Sequence, residues 1–400
     1  MGRTTVLISG AGIAGPTLAF WLVEAGFEPT LVEHAPAPRT GGYVIDFWGL
    51  GYDIAERMGL AAEINRIGYH VREMRIVDGD GKRVTGFGTS VFRELTGGRF
   101  VTLRRSDLSR ILLDKVGDRA EIILGDEVVD LREDSGGVQI RLQRGGERRF
   151  DLAIGADGLH SGIRRLGFGP QDRFERRLGY MVAAFEVAGY RPRDEDVYVI
   201  YGEPGRMLGR FTQRDDRTLF LFVFRADPVS MPLDPSAQKA ALRERYGGGR
   251  WECDRILAEL ARADDLYFDR VSQITLDRWS NGRVALVGDA AYCVSLVAGQ
   301  GSALAMTGAF VLAGELATAR QDHGDAFFRY ESRLRSYIGS KQRAAHRFAS
   351  AFAPKTRWGL FLRNLVVRAC AIPGVARYTF GRDVVDSMRL PGYRWPRPGG

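Results

Sequence analysis

The stretch that most constrains this chain lies near its N-terminus, where Val6-Leu7-Ile8 runs into Gly10-Ala11-Gly12-Ile13-Ala14-Gly15. A short apolar run followed by this glycine pattern reads as a buried strand turning into a helix, and the helix-forming stretch Thr17 to Glu24 follows. The first glycine permits the tight turn, the second lets backbone approach a diphosphate, and the third lets the helix pack on the strand. The helix N-terminus then faces the phosphates. A second apolar run ends in Glu33, an acid placed to accept from a ribose hydroxyl. The chain therefore opens on a βαβ unit with a dinucleotide site at Gly10, Gly12, Ile13, Ala14, Gly15 and Glu33.

Four hundred residues exceed a typical single core and suit two interleaved domains. Strand and helix signals of the mononucleotide-binding type recur at both ends. Between them, Tyr180 to Val187, Val197 to Tyr201, Leu208 to Gln213 and Thr218 to Arg225 read as an antiparallel sheet with Phe220, Phe222 and Phe224 on alternate positions. Ile54 to Ile67 and Leu103 to Val116 read as helices. The segment 36–42 reads as a loop. The expected fold class is α/β: a Rossmann-like dinucleotide-binding domain (1–70, 100–175 and 276–350) with an inserted antiparallel-sheet substrate domain (71–99 and 176–275). A C-terminal helical segment (351–400) completes it.

The net charge is +8, but the basic residues are dispersed and form no run of five, so no nucleic-acid partner is expected. Cys253, Cys293 and Cys370 are widely spaced, which points to reduced thiols in a cytoplasmic protein without a cysteine metal site. The five histidines show no metal-ligand spacing. The first strand begins too early to leave room for a signal peptide. Residues 358–368 are basic and amphipathic. They are expected to pack across both domains, with no stable membrane association. Oligomeric state, monomer or dimer, is left open.

Two further glycine-acid motifs follow buried strands. One is Gly155-Ala156-Asp157-Gly158-Leu159-His160-Ser161-Gly162-Ile163-Arg164. The other is Gly288-Asp289-Ala290-Ala291, followed by Gly299-Gln300-Gly301-Ser302 at a helix start. Together with Arg105-Ser106-Asp107-Leu108, and in this order, they resemble the single-component (class A) FAD aromatic hydroxylases. The resemblance covers about residues 1–350. Length and the stretch Gly41 to Gly49 look closest to small bacterial members that act on polyketides, including tetracycline-inactivating monooxygenases.

That resemblance implies FAD as cofactor, NADPH or NADH as electron donor, and oxygen transfer from a flavin C4a-hydroperoxide to an aromatic or polycyclic substrate. It implies cofactor contacts at Arg105, Val128, Asp157, Asp289 and Gly299 to Ser302, including Gln300 and Gly301. It brings the loop with Asp46, Phe47 and Trp48 near the flavin. Asp46, Phe47, Tyr201, Phe211, Phe222, Phe224 and Leu296 are the candidate substrate residues. His160 is read as a surface loop histidine rather than a base. The chain departs from the family pattern at Tyr292 and Leu296, where His and Pro are usual. Leu296 reads either as tailoring of a pocket for an apolar substrate or as a loss of ordinary hydroxylation, giving a flavin oxidoreductase or FAD-scaffolded cyclase that inserts no oxygen. A non-catalytic FAD-binding protein is a third reading.

Overall fold

The computed structural model describes residues 3–38, 43–226, 232, 234–263, 265–295, 299–319, 322–372, 374–375 and 386–395, with backbone only for 346–351. The chain opens as β1 (Thr5–Ser9), α1 (Ala14–Glu24) and β2 (Glu28–Glu33). Next come β3 (Val44–Trp48), α2 (Gly49–Arg57), α3 (Ala61–Ile67), β4 (Glu73–Val77), β5 (Arg83–Gly88) and α4 (Ser90–Leu95). β6 (Phe100–Arg104), α5 (Arg105–Val116) and β7 (Glu121–Leu124) follow, then the ribbon β8 (Val128–Asp134), β9 (Gly137–Leu142), β10 (Gly146–Phe150). β11 (Leu152–Gly155) and α6 (Gly162–Gly167) lead into β12 (Glu175–Ala188), β13 (Val197–Glu203), β14 (Arg206–Thr212) and β15 (Arg217–Arg225). After α7 (Pro235–Tyr246), α8 (Cys253–Arg262) and β16 (Tyr267–Ile274), the chain returns through β17 (Ser280–Asn281), β18 (Val284–Leu286) and α9 (Asp289–Tyr292). It continues as α10 (Gly301–Ala319), α11 (His323–Phe352) and α12 (Arg357–Ala369).

Two large sheets organise these elements. One has the order β17-β18-β11-β1-β2-β7, parallel from β18 to β7. Its centre is β1, where Val6, Leu7 and Ile8 are fully buried, as expected for a parallel strand covered on both faces. α1 and α10 pack against each other, and both are buried almost all round. α10 is long and apolar enough to cross a membrane, yet here it is an interior helix.

The second sheet has the order β16-β12-β15-β14-β13-β4-β5, antiparallel except between β13 and β4. Strand alternation splits β15 between two cores. Phe220, Phe222 and Phe224 face α7 and α8, meeting Leu242, Tyr246, Ile256 and Leu260. Leu219, Leu221 and Val223 face the other way, toward Tyr43, Tyr267 and the end of α11.

Several local expectations shift. The helix expected over 54–67 divides into α2 and α3, because Gly59 adopts φ +74 between them. Leu103 belongs to β6, and the helix starts only at Arg105, after Arg104 in extended conformation. Val44 to Trp48, in a stretch expected as loop, pairs antiparallel with β6. β16 had no strong alternation to announce it; its pairing with β12 holds it in the sheet.

Candidate active site

The glycine turn has the geometry its sequence required. Gly10 takes φ +103, and a Cβ there would lie 2.6 Å from the Ala156 carbonyl oxygen. A Cβ on Gly15 would lie 1.9 Å from the Gly10 carbonyl oxygen. Gly12 differs, because its missing side chain faces only the Arg105 guanidinium, 3.5 Å away. Ile13 and Ala14 are buried at the start of α1, where no side chain caps the helix and no acid stands in the first turn. That end keeps its free N–H groups and its positive dipole.

Glu33 closes the other side of the turn. Its Oε2 accepts from Ala11 N at 2.8 Å and its Oε1 from Ala35 N at 3.0 Å. Each oxygen keeps a second lone pair for a hydroxyl donor. Val128 is buried nearby; the turn before it is tied to this edge by Asp126 N donating to Glu33 O at 3.1 Å.

The third motif abuts the first. Gly288 takes φ +66, and a Cβ there would lie 3.2 Å from Ala14 Cβ. Asp289 then starts α9, and burial pushes its carboxyl up while the field of Arg105 pulls it down. Arg105 makes no ion pair with a carboxylate among the described residues. Gly299 turns at φ +66, and Gln300, Gly301 and the buried Ser302 lead into α10. Gly301 lies beside Asp289. Gly12, Arg105, and Asp289 with Gly301, therefore converge from three segments far apart in sequence.

The second motif does something else. The Asp157 carboxylate accepts from Ser161 Oγ and from Ile163 N (3.0 Å), so each oxygen is tied to its own loop. Ser161 Oγ accepts from Arg164 N at 2.9 Å and caps α6. Arg164 is fully buried and donates to the Ala290 carbonyl at 2.9 Å and the Leu159 carbonyl at 2.6 Å. The physical role of this motif is to brace α9 and hence Asp289.

Across from this cluster lies the open face of the second sheet. Asp46 Oδ1 accepts from Thr102 Oγ1 (2.5 Å) and Tyr198 OH (3.3 Å). Tyr43 and Tyr267 pack with ring centroids 5.4 Å apart, and Tyr198 packs on Phe211 at 4.6 Å. Tyr43, Asp46, Tyr198, Leu221, Tyr267 and Asp289 are each partly accessible. Yet desolvation raises the Asp46 and Asp289 carboxyls and the three phenols, Tyr43 to about 12. Packed ring to ring beside Asp46, these partly accessible side chains form a cleft face walled by aromatic rings between β3 and the second sheet. Phe211 is buried and backs its wall.

Four of the sequence-derived substrate residues lie elsewhere. Phe222 and Phe224 pack edge-on against Tyr246, under α7 and α8. Tyr201 shares that face and donates to Glu203 Oε1 at 2.5 Å. All three sit on the side of the sheet away from Asp46, because alternation along β13 and β15 turns them outward from the cleft. Phe47 is fully buried beside Tyr52, one residue out of phase with Asp46. The missed lining residues are Tyr43, Tyr198, Leu221 and Tyr267; the alternation that buries Phe222 already pointed to Leu221. Leu296 lies outside the described residues. Tyr292 points into the core, filling the space over Gly308 with its OH 3.3 Å from Tyr330 OH. Burial pushes its phenol up to about 12.

A model of the FAD binding domain family matches residues 3–349. The chain belongs to that family. A flavin-dependent monooxygenase from an unknown prokaryotic organism is 35% identical over 84% of this chain and 87% of its own length. The solved structure of the tetracycline destructase Tet(51) is similar over 98% of this chain and 100% of its own, with TM-score 0.83 and 30% identity. Klebsiella pneumoniae HpxO, solved with FAD and uric acid, is similar over 92% of this chain and 93% of its own, with TM-score 0.76 and 25% identity. The chain is a class A FAD-dependent monooxygenase with an α/β FAD-binding fold.

The residues present fit FAD: a side-chain-free cradle at Gly12, a guanidinium without a carboxylate partner above it, and a desolvated acid at Asp289. Replacing Arg105 with Gln is expected to weaken FAD binding about 10- to 100-fold, the loss of one charge-assisted contact. Fluorescence titration of the apoprotein with FAD measures it; unchanged affinity removes Arg105 from the site.

His160 ties the loop after β11 to β16 of the second sheet. Its Nε2 lies 3.2 Å from Asp269 on β16, and its Nδ1 3.1 Å from Gln171 Nε2. The Asp269 contact raises the imidazole pKa above 6.5, against the opposing effect of burial. With the folded value raised, the stabilisation is complete below 6.5 and disappears as pH rises through the folded value. His160 is half-exposed, so solvent screens the pair and the energy is small. An NMR titration is expected to place His160 above 6.5 and to move it down in Asp269→Asn. An unmoved value in that variant refutes the pairing.

Proposed function

We propose that this monooxygenase hydroxylates a polycyclic aromatic natural product with an acidic phenol or enol, taking electrons from NADPH or NADH. FAD would be held by Gly10, Gly12, Ile13, Ala14, Gly15, Glu33, Arg105, Asp289 and Gly299 to Ser302. When bound, it supplies the two-electron carrier and the activation of dioxygen. Arg105 and the start of α1 offset the diphosphate charge, and Glu33 accepts from ribose hydroxyls. Residues 71–99 and 176–275 form the substrate domain, whose inner face meets the cofactor domain at the cleft.

The observation that carries this reading is the aromatic cleft with the Asp46 carboxylate at its edge. Tyr43, Tyr198, Tyr267 and Leu221 offer flat apolar surface to fused rings. Thr102 and Tyr198 hold Asp46 through one oxygen, and Oδ2 has no hydrogen-bond partner among the described residues. That oxygen can accept a substrate hydroxyl proton and orient the ring. The likeness to a tetracycline destructase supports a fused-ring substrate of this kind.

The test mixes the holoenzyme anaerobically with NADPH or NADH and a panel of polycyclic phenols, then admits labelled dioxygen. Flavin bleaching, followed by one labelled atom in the product, is the expected result. Failure to reduce the flavin with every donor and substrate overturns it. Asp46→Asn is expected to lower kcat/KM about 10- to 100-fold, as for a lost charged hydrogen bond, without changing flavin content.

A further inference from the structure

Helix α12 is amphipathic and carries an apolar stripe on the side turned away from the protein. It packs on β5 and β13, at the edge of the substrate sheet, and none of its residues is buried. Its inward side carries Leu360, Arg363, Asn364 and Val367, with the Arg363 guanidinium lying over Gly202 and Val367 packed beside Phe87 and Val91. Its outward side carries Trp358 (72% exposed), Phe361 (56%), Leu362, Leu365 and Val366, continued by Ile372. These positions recur at helical spacing, so they form one continuous stripe. The expectation that this segment packs across both domains therefore fails on its apolar side.

Charge and area indicate what covers the stripe. Lys355, Arg357, Arg363 and Arg368 are the only charged residues between 355 and 372, so the helix is uniformly cationic. A second copy docking face to face would oppose cation to cation. The helix is thirteen residues, about 20 Å long, so its stripe offers on the order of 200–300 Å². A stable dimer needs about 800 Å² from each partner. An anionic lipid surface meets both conditions: it pairs with the cations, and it accepts a narrow apolar stripe lying in its plane. Trp358, stacked on Phe361 at 5.3 Å, is suited to the headgroup boundary.

We propose that α12 docks this monooxygenase on anionic bilayers through the stripe Trp358, Phe361, Leu362, Leu365, Val366 and Ile372. This replaces the sequence-based expectation of no membrane association, and it does not depend on which substrate the enzyme takes. α11 ends at Phe352 and Ala353, packed against the cleft face of the sheet beside Val223. The docked helix therefore sits next to the chain segment that borders the cleft, on the side where an apolar substrate dissolved in lipid would arrive.

The experiment is flotation of the FAD-loaded holoenzyme with vesicles of equal parts phosphatidylglycerol and phosphatidylcholine, against pure phosphatidylcholine. The enzyme is expected to float with the anionic vesicles and at least about tenfold less with the neutral ones. The double variant Phe361→Glu/Leu365→Glu is expected to remain in the soluble fraction while keeping its flavin absorbance and melting temperature. The milder Leu365→Gln gives a partial loss in the same direction. No flotation of the parent, equal flotation of parent and variants, or equal binding to both vesicle types overturns the proposal. So does a concentration-dependent dimer in sedimentation that the double variant dissociates, which would assign the stripe to a second copy.

Discussion

The Gly15→Ala variant is expected to lose its FAD and about 3 kcal/mol or more of stability. The added methyl would stand 1.9 Å from the Gly10 carbonyl oxygen and 3.4 Å from Ile8 Cγ2. The first of these neighbours is backbone, so no rotamer change relieves the clash. α1 must lift from β1, and that shift moves the Gly12 cradle and the helix start that faces the diphosphate. Scanning calorimetry and the flavin absorbance of the purified protein read the two effects together. Gly392→Ala is the control, because nothing lies within 4 Å of a Cβ there and its backbone is ordinary. A Gly15→Ala protein that binds FAD like the parent would refute the packing argument.

Arg164→Met should destabilise the protein by about 3–5 kcal/mol, the usual cost of breaking a buried charged network. The guanidinium is fully buried and satisfies the Leu159 and Ala290 carbonyls. Burial lowers its pKa, with the nearby Asp157 carboxylate opposing, but an arginine remains charged throughout the accessible range. Methionine fills much of the volume and leaves both carbonyls and Asp157 without the cation. Ala290 follows Asp289 in α9, so the loss reaches the cofactor site without touching it. Chemical denaturation measures the stability, and an FAD titration measures the coupled loss of affinity. Arg164→Lys keeps the charge but cannot bridge two carbonyls in a planar fork, so it falls between parent and Met. Equal stability of Met and parent would show that α9 is braced by other contacts.

Both variants act through residues whose types were legible in the chain, but the two were legible to different depths. Glycine at 10, 12 and 15 announces its role, because a backbone constraint leaves few residue choices. The strand-helix-strand order and the inserted antiparallel sheet follow from local periodicity in the same way. Asp157 and Arg164 stand in a recognisable motif, yet no sequence pattern says that Asp157 ties its own loop while Arg164 reaches α9. The side chains of β15 were equally visible, and alternation divided them correctly into the Phe220, Phe222, Phe224 set and the Leu219, Leu221, Val223 set. It did not say which set faces the cofactor.

That choice depends on what covers each face of the sheet. α7 and α8 are contributed by residues 235–262 and bury Phe220, Phe222 and Phe224. The remaining face is left for Tyr43, Asp46 and Tyr267. Short-range chemistry thus determined the dinucleotide turn, the elements and their order. The identity of the cleft wall, the bracing role of the second motif and the outward apolar stripe of α12 are decided by contacts between segments far apart in sequence. A side chain's local pattern records its period, and only the packed neighbours determine which side is covered.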